Sequence, residues 1–518
     1  MSTSSCRIRP LLLAVPLFLA AGCEDSTSAP ALLLDRVSVA MIPGATETVL
    51  LVPIEGADAF APYTVRSADE AVATAVLSGT RLTVTGVGIG RTTVRIQGTG
   101  CAPRDLPVQV YDHRVLDTGE LLVTFTDVFQ KIVDLPDVSY NDAELLLHTE
   151  VIGASVWRPV PPAGFHALGS FAVSPSADPN GAKAVMVVKA REGSNALALT
   201  TSYAEDYAVQ WTRPTTARGA RFWHPVCPAG YQAMGTLATF PGSPGPDFPT
   251  PCLRQDLTIG GAAGAMIHDT TGQDLLSLWD VDLPDVGPHA GAYLAPGTFV
   301  LAQGTTRPVS SPVIHVLKVQ LPLLAEAPAQ DFLPRLTSVL SPDLATPPRF
   351  ARAMLVPCTM VNDVLHASVP WRVANSPFYR LERHVYYKRM FHNYNTTSVV
   401  QPFEVKMTSG VTTSESQTFK ESTNVSITAE VGIELKGIFS AKASSTVSRE
   451  FGYETQTSVA ELVQKEVTTP IHSAPGKAAA LWQEYNRYVL HRHDGTALSE
   501  VTAWEFGIDS YVVDDYPD

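Results

Sequence analysis

Two stretches of the chain carry nearly the same sequence motif, and this repetition constrains the fold more than any other feature. VWRPVPPAGFHALG begins at Val156, and FWHPVCPAGYQAMG begins at Phe222. The offset is constant (223 − 157 = 66), so the agreement predicts one structural unit used twice. A weaker third copy is expected around Trp279. The repeated positions are Trp157, Pro159, Gly164 and Gly169 in the first copy and Trp223, Pro225, Gly230 and Gly235 in the second.

The composition favours strands and turns over long helices. The 518 residues include 40 prolines and 35 glycines, and 45% of the residues are hydrophobic. A chain of this length predicts about two to four domains, each with a core of its own. We therefore expect a multidomain all-β protein, in which the repeated units between residues 113 and 325 surround a shared axis as in a β-prism.

The charge pattern and the motifs exclude several functions. The formal charge is −14 and Lys and Arg form no cluster, so nucleic acid is not an expected partner. No apolar run of 18 residues follows the first 22 residues, which argues against a transmembrane helix. The chain contains no Gly-x-Ser-x-Gly, His-Glu-x-x-His or phosphate-loop motif. Neither an enzyme nor a cofactor or metal site is expected.

Two short motifs have both a ligand-site and a turn interpretation. VTGVGIG ends at Gly90 and is followed by the strand-like RTTVRI rather than by a helix, which favours a turn over a phosphate loop. HRHDG, from His491 to Gly495, places two histidines on one strand face. Asp-Gly is foremost a hairpin signal and no third ligand is evident, so the turn interpretation is favoured there too.

The N-terminus has the pattern of an export signal. Arg7 and Arg9 precede the apolar LLLAVPLFLA, and small residues stand directly before Cys23. The pattern resembles the bacterial lipoprotein lipobox, which implies a signal peptide over residues 1–22, a lipidated Cys23 and a tether over 23–31. Export and lipid anchoring to the bacterial cell envelope follow from that resemblance. The alternative is an ordinary secretory signal cleaved nearby.

Four cysteines remain outside the signal and the lipidated position. An even number in an exported chain suggests disulfides. Cys227 lies inside the second repeat and Cys252 follows it closely, so we predict that these two are paired. Cys101 and Cys358 are left as a second, less constrained pair.

Residues 32–112 read as short alternating strands separated by turns, which predicts a sandwich. The segment RSADEAVATAVLSGTRLTVTGVGIGRTTVRI resembles the bacterial immunoglobulin-like domain of group 2. Such domains usually act as spacers, and the resemblance implies that role here.

The repeated region resembles the vacuolar protein sorting-associated protein 62 family, in which the Trp-Pro-Gly phrase recurs. The family's later Cys-Leu-Arg-x-Asp-Leu motif matches residues 252–257. The resemblance implies a fold more than a function. For Trp157 and Trp223, burial as core anchors is favoured over contact with sugar or lipid.

A Pro-rich connector over 326–350 leads into the last region, 351–518. Ser and Thr are abundant between residues 410 and 457, and apolar residues alternate with polar ones over 425–431 and 439–447, on either side of a short apolar turn in GIELKGI. Such a hairpin suits a β-barrel pore, although a soluble hairpin would also alternate. The pattern resembles aerolysin-like pore-forming toxins of the epsilon-toxin and mosquitocidal-toxin kind. The positions assigned to the predicted membrane-inserting hairpin, 425–447, are Val425, Ile427, Ala429, Val431, Ile433, Leu435, Ile438, Phe439, Ala441 and Ala443.

The sequence thus predicts a surface lipoprotein with an immunoglobulin-like domain, a recognition body and a β-pore-forming effector. Membrane lipid is the expected partner, together with a glycan or other surface ligand and further copies of the chain on a membrane. The alternative is an adhesion or envelope-binding lipoprotein that never inserts.

Overall fold

The computed structural model describes residues 32–53, 63–98, 103–136, 152–211, 218–239, 243–269, 276–282, 292–319, 323–326, 333–410, 425–428, 432–435, 464–498 and 504–517. These residues form a multidomain all-β protein, as expected. Within them α1 (Val369–Asn375) is the one α-helix, and short 3-10 turns cover Gln255–Leu257 and Cys358–Met360. No helix in the described ranges is both long enough and apolar enough to cross a membrane.

The N-terminal region is a sandwich of two four-stranded sheets, with orders β1-β3-β6-β5 and β2-β8-β7-β4. Apolar side chains that alternate along the strands close its core, including the fully buried Leu82, Val94 and Leu106. The VTGVGIG motif is the turn between the sixth and seventh strands, as predicted. The strands are β1 (Leu32–Leu34), β2 (Val39–Met41), β3 (Thr46–Pro53), β4 (Tyr63–Ser67), β5 (Ala73–Ser78), β6 (Arg81–Gly86), β7 (Gly90–Gly98) and β8 (Arg104–Val110).

The middle region, which we call the β-body, contains three copies of one six-stranded unit. In each copy the second, third and fifth strands form one sheet, and the first, sixth and fourth form another. The third copy predicted around Trp279 is therefore present. After β9 (Leu116–Asp117), the copies are β10 (Leu121–Thr126), β11 (Phe129–Pro136), β12 (Ile152–Pro159), β13 (His166–Ala167), β14 (Phe171–Val173) and β15 (Val185–Ala190); β16 (Leu197–Thr200), β17 (Tyr203–Trp211), β18 (Arg218–Pro225), β19 (Tyr231–Gln232), β20 (Leu237–Thr239) and β21 (Thr250–Arg254); and β22 (Thr258–Gly260), β23 (Ala262–Asp269), β24 (Leu276–Asp282), β25 (Ala292–Leu294), β26 (Phe299–Gln303) and β27 (His315–Val319).

The three copies share one apolar core. The residue that precedes each repeated tryptophan is fully buried in it: Val156, Phe222 and Leu278. Because neighbouring residues of a strand face opposite sides, the tryptophans themselves lie on the outer side of the same sheets.

The repeated glycines have two different roles. Gly164 and Gly230 have φ angles of +79° and +83°, so they make tight turns. Gly169 and Gly235 instead allow the copies to meet. A Cβ atom on Gly235 would lie 2.4 Å from Thr298 of the third copy, and one on Gly169 would lie 2.8 Å from Thr298 Cγ2.

The C-terminal region is dominated by a five-stranded antiparallel sheet, the long sheet, with the order β28-β29-β30-β35-β36. It begins before the start of the predicted connector, because residues 323–326 already pair with its second strand. Two further strand pairs accompany it. The strands are β28 (Leu323–Glu326), β29 (Arg349–Pro357), β30 (Phe378–Tyr394), β31 (Gln401–Ser409), β32 (Val425–Thr428), β33 (Gly432–Leu435), β34 (Lys465–Ser473), β35 (Ala478–His491) and β36 (Trp504–Tyr516).

The sandwich, the β-body and the C-terminal region pack against one another through one apolar cluster. Phe125 of the β-body lies 5.6 Å, between ring centroids, from Phe378 of the long sheet. Ala40 of the sandwich belongs to the same cluster, as do Leu381 and Tyr488.

Candidate functional site

The Ser/Thr-rich segment leaves and re-enters the fold at a single point. Strands β31 and β34 form a two-stranded ribbon, paired from Gln401 with Ser473 to Ser409 with Lys465. Burial alternates along both strands, so one face of the ribbon contacts the protein and the other contacts solvent. Residues 410–464 are therefore an insertion between two strands that are already paired.

The ribbon packs against the long sheet. The ring of Phe403 lies 4.8 Å, between centroids, from the ring of Phe391 on β30. Met407 and Ile471 are buried in one cluster with Leu481 of β35. The alternation in β31 follows from this contact, because its apolar residues occupy every second position.

A set of polar contacts holds the end of the ribbon from which residues 410–464 depart. Gln483 is fully buried, and its Nε2 donates hydrogen bonds to Thr408 O at 3.0 Å and Ile508 O at 3.2 Å. The N–H of Gly410 donates to Gly507 O at 2.7 Å. A Cβ on Gly507 would meet Gln483 Nε2 at 2.6 Å, so a side chain at this position would displace the Gln483 amide.

An ion pair completes this attachment. Lys465, the first residue of β34, is paired with Asp509 of β36. Burial and the neighbouring Asp509 raise the pKa of Tyr511 to about 12, so its phenol stays protonated beside the pair. We call these contacts of Gln483, Gly507 and Asp509 the ribbon anchor. Sequence reasoning missed it: Gln483 directly follows the apolar run AAALW and precedes Glu484, so no local signal marks it as buried.

The predicted inserting hairpin is described only in part, and its turn lies elsewhere than expected. Strands β32 and β33 pair Val425 with Leu435 and Ile427 with Ile433. Ile433 and Leu435 were expected in an apolar turn, but they belong to the returning strand. Ala429, Val431, Ile438, Phe439, Ala441 and Ala443 lie outside the described residues.

The repeated tryptophans are buried, which favours the structural interpretation. Trp157, Trp223 and Trp279 are 6%, 7% and 9% exposed. Each indole N–H donates to a hydroxyl: to Ser155 at 2.8 Å, to Thr239 at 3.1 Å and to Ser277 at 2.8 Å, in the same order. Pro159 and Pro225, the other repeated positions, end β12 and β18.

One of the two considered disulfides is present. Cys227 and Cys252 are bonded, with 5.7 Å between their Cα atoms. Cys358 is a buried free thiol, so its pairing with Cys101 is wrong. Burial raises the pKa of Cys358 to about 12, which makes it a poor nucleophile. Cys23 and Cys101 lie outside the described residues.

HRHDG forms the predicted turn. The N–H of Gly495 donates to Arg492 O at 3.0 Å, and Gly495 has a φ of +81°. His493 stacks on His113 at 4.7 Å between ring centroids, and His491 Nε2 lies 3.6 Å from a Glu382 carboxylate oxygen. The described residues contain no group of three side chains able to hold a metal ion.

The long antiparallel sheet, its ribbon and the large insertion define the C-terminal region of a multidomain all-β protein. Residues 350–515 match the family model described as Insecticidal Crystal Toxin, P42, and residues 102–350 match that of vacuolar protein sorting-associated protein 62. Both resemblances drawn from the sequence are thereby confirmed at family level for the middle region and as toxin-like for the last. The assignment of the sandwich to an immunoglobulin-like family stays a prediction.

Solved structures show distant similarity. GNIP1Aa from Chromobacterium piscinae is 15% identical, with 40% of this chain and 36% of that chain covered and a TM-score of 0.28. This chain thus spans about a third of GNIP1Aa. Cry35Ab1 is 11% identical, with coverages of 78% and 91% and a TM-score of 0.30. The oligomeric pore-forming toxin pro-Monalysin is 9% identical, with coverages of 27% and 63% and a TM-score of 0.18. A search of the curated proteins finds no match.

Proposed function

We propose that this protein is a membrane-active, toxin-like lipoprotein whose residues 410–464 insert into a lipid bilayer as a β-hairpin. The single observation that carries the proposal is the ribbon, in which Ser409 pairs with Lys465 at the point of departure. An insertion that starts from paired strands can lengthen the same ladder without breaking it. The match of residues 350–515 to an insecticidal toxin family supports this class of function.

The length and pattern of the insertion suit a barrel. A spanning strand needs about 9–11 residues, and the segment has room for two such strands. Serine and threonine would line the aqueous lumen, while alternate apolar residues would face lipid. Closing a ring of several copies satisfies every strand edge, which an isolated hairpin in lipid cannot do.

The remaining regions have supporting roles in the proposal. The lipid on Cys23 anchors the chain to the envelope of the bacterial cell that exports it, at about 0.8 kcal/mol per buried methylene. The β-body, a rigid scaffold with exposed loops at its repeated Pro-Ala-Gly turns, recognises a glycan or another surface ligand on the target.

A second function, binding without insertion, is favoured by one observation. Thr428 pairs with Gly432, so the first strand of this pair ends inside the stretch that a continuous spanning strand over 425–431 would need. A hairpin that turns so early is a soluble ribbon, and the protein would then act as an adhesion or envelope-binding lipoprotein.

Leakage of dye from liposomes separates the two functions. Ile427→Lys places a charge at a lipid-facing position, where it costs about 2–4 kcal/mol per copy near the bilayer midplane. Thr428→Lys, the neighbouring residue on the other face, is the matched control and should keep leakage while changing ion selectivity. Both variants are made in the full chain and checked by thermal melting. Equal leakage from both variants, with unchanged melting, would contradict insertion and favour binding without insertion.

A further inference from the structure

The N-terminal sandwich docks directly on the long sheet. The guanidinium of Arg36 lies 4.8 Å above the ring of Phe350 on β29. The end of β2 and the loop after it line a cavity of about 360 Å³ together with Phe378 and Arg380 of β30. A flexible spacer would make no such contacts with the region that it separates from the cell surface.

A row of side chains with alternating charges crosses the contact between the sandwich and the long sheet. Arg36 Nη1 lies 2.8 Å from Glu47 Oε2, Glu47 Oε1 lies 3.1 Å from Arg380 Nη1, and Arg380 Nε lies 2.8 Å from Glu382 Oε1. The first two residues belong to the sandwich and the last two to β30. Their side chains are 14–21% exposed, so solvent screens these charges less than it would at the surface.

Two histidines extend this row of charged side chains on the long sheet. His384 Nε2 lies 2.8 Å from Glu382 Oε2, and His491 approaches the same carboxylate. Burial opposes ionisation of Glu382, but these histidines and Arg380 hold its pKa well below the usual range. The carboxylate therefore stays charged at any pH near neutrality, and the bond from Glu47 to Arg380 is the charged link between the regions.

The ribbon runs toward the sandwich. Phe403 lies beside Phe391, which is opposite Leu481, whereas Gly410 is bonded to Gly507, which is opposite Tyr485. The ribbon thus advances along β35 in the direction of His491. Beyond Tyr485 the same strand reaches Arg487 and His491, which pair with His384 and Arg380 beneath the sandwich.

We propose that the sandwich is an inhibitory cover: docked through Glu47 and Arg380, it occupies the end of the long sheet toward which residues 410–464 must extend. This inference rests on the proposed insertion of that segment. The cavity at the contact means that the cover is incompletely packed, so undocking loses fewer apolar contacts than a filled interface would. Release of the cover precedes insertion.

Glu47→Lys tests the cover, because it sets a lysine against Arg380. Removing one partner of a shielded charge pair weakens a contact roughly tenfold or more, so leakage from liposomes should accelerate by about that factor. Docking is measured separately, by the distance between spin labels on cysteines placed at Val76 of the sandwich and Val513 of the long sheet, which are 65% and 53% exposed. The distance distribution should be narrow in the parent and broad in Glu47→Lys.

Two variants control the experiment. Glu205→Lys makes the same charge change at the exposed ion pair between Arg221 and Glu205 of the β-body, and should change neither leakage nor the measured distance. Glu47→Gln keeps the shape and removes only the charge, so it should give an intermediate effect if Glu47→Lys fails to fold.

The outcomes separate the two proposals. A broad distribution of spin-label distances together with faster leakage supports the sandwich as an inhibitory cover. A distribution that stays narrow in both Glu47 variants overturns docking through this pair, and broad distances with leakage at the parent's rate overturn inhibition. If no protein causes leakage, including the parent, while the distances broaden, then the proposed insertion fails and docking alone stands.

Discussion

The β-body and the long sheet are both antiparallel and all-β, yet they bury different kinds of groups. In the β-body the buried polar groups next to the repeated tryptophans are small hydroxyls, such as Ser155 and Ser277, bonded to the indoles. In the long sheet a strand of 17 residues runs past buried charges and amides, among them Asp363, Arg492 and Gln483. The contrast indicates that burial in the C-terminal region depends more on paired charges and amides than burial in the β-body does.

Unsatisfied polar atoms sharpen the contrast. Gln483 Oε1 and Asn486 Nδ2 are buried and have no hydrogen-bond partner among the described residues. Each such atom costs about 1–3 kcal/mol relative to a bonded one. Both atoms lie on β35. Because Gln483 belongs to the ribbon anchor, its unpaired oxygen lies where residues 410–464 depart from the ribbon.

The largest expected effect comes from breaking the buried ion pair of the C-terminal region. Arg492 donates to both carboxylate oxygens of Asp363, at 2.7 and 2.8 Å, and the two residues are 6% and 1% exposed. Asp363→Ala should lower the free energy of unfolding by about 3–5 kcal/mol, because it leaves a buried guanidinium without its partner. Urea denaturation measures the change.

The β-body supplies the matched pair for this prediction. Arg221 also contacts Glu205 through two hydrogen bonds, but these side chains are about one-third exposed. Glu205→Ala should therefore cost less than about 1 kcal/mol. Equal losses from the two substitutions would remove the difference in burial that separates the regions.

The centre of the β-body should respond to small changes of volume. Gly169→Ala brings a methyl group against Thr298 Cγ2 and should cost about 1–3 kcal/mol. Thr298→Ser removes that methyl and keeps the hydroxyl that donates to Met234 O. The double variant should recover much of the loss, which a thermodynamic cycle from melting curves detects. Strictly additive losses would mean that the copies do not meet at these residues.

The smallest expected effect is a dependence on pH at the junction of the regions. Burial and the facing His493 lower the pKa of His113, Arg114 lowers it further, and Asp112 opposes them. The unfolded chain then binds a proton more readily than the folded one, so stability falls as the pH drops below about 6.5 and levels off below the folded pKa. His113→Gln should flatten this part of the profile of Tm against pH.

His166→Gln in the β-body is the control for that profile. Its pKa is lowered by burial alone, without a facing charge. If both variants flatten the profile equally, then burial suffices and the stacked His493 adds nothing to the pH response at His113.

Features fixed by local rules were predictable from the sequence. The turns at Gly164 and Gly230 and the turn at Asp494 depend on residues that favour a backbone conformation, and repetition revealed the third copy. The Cys227–Cys252 bond also follows from closeness in the chain. By contrast, Gly169 and Gly235 are the same residue type as the turn glycines, but they are needed for close contact with Thr298, which no local pattern indicates.

Contacts between distant residues were not predictable. Glu47 and Arg380 are separated by 333 residues, and each alone reads as an ordinary surface charge. The turn after Thr428 was misplaced because GIELKGI alternates as well as the flanking residues do, so periodicity does not distinguish strand from turn there. The lipidation of Cys23 and the outer part of the hairpin stay predictions.

The shared core beneath Val156, Phe222 and Leu278 has a consequence for how the β-body can be divided. Each copy contributes only part of the apolar surface that the centre encloses, so a copy separated from the others would expose its share to water. The three copies therefore form one cooperative folding unit. A truncation that removes one copy is expected to unfold the other two, and fragments for binding studies must retain all three.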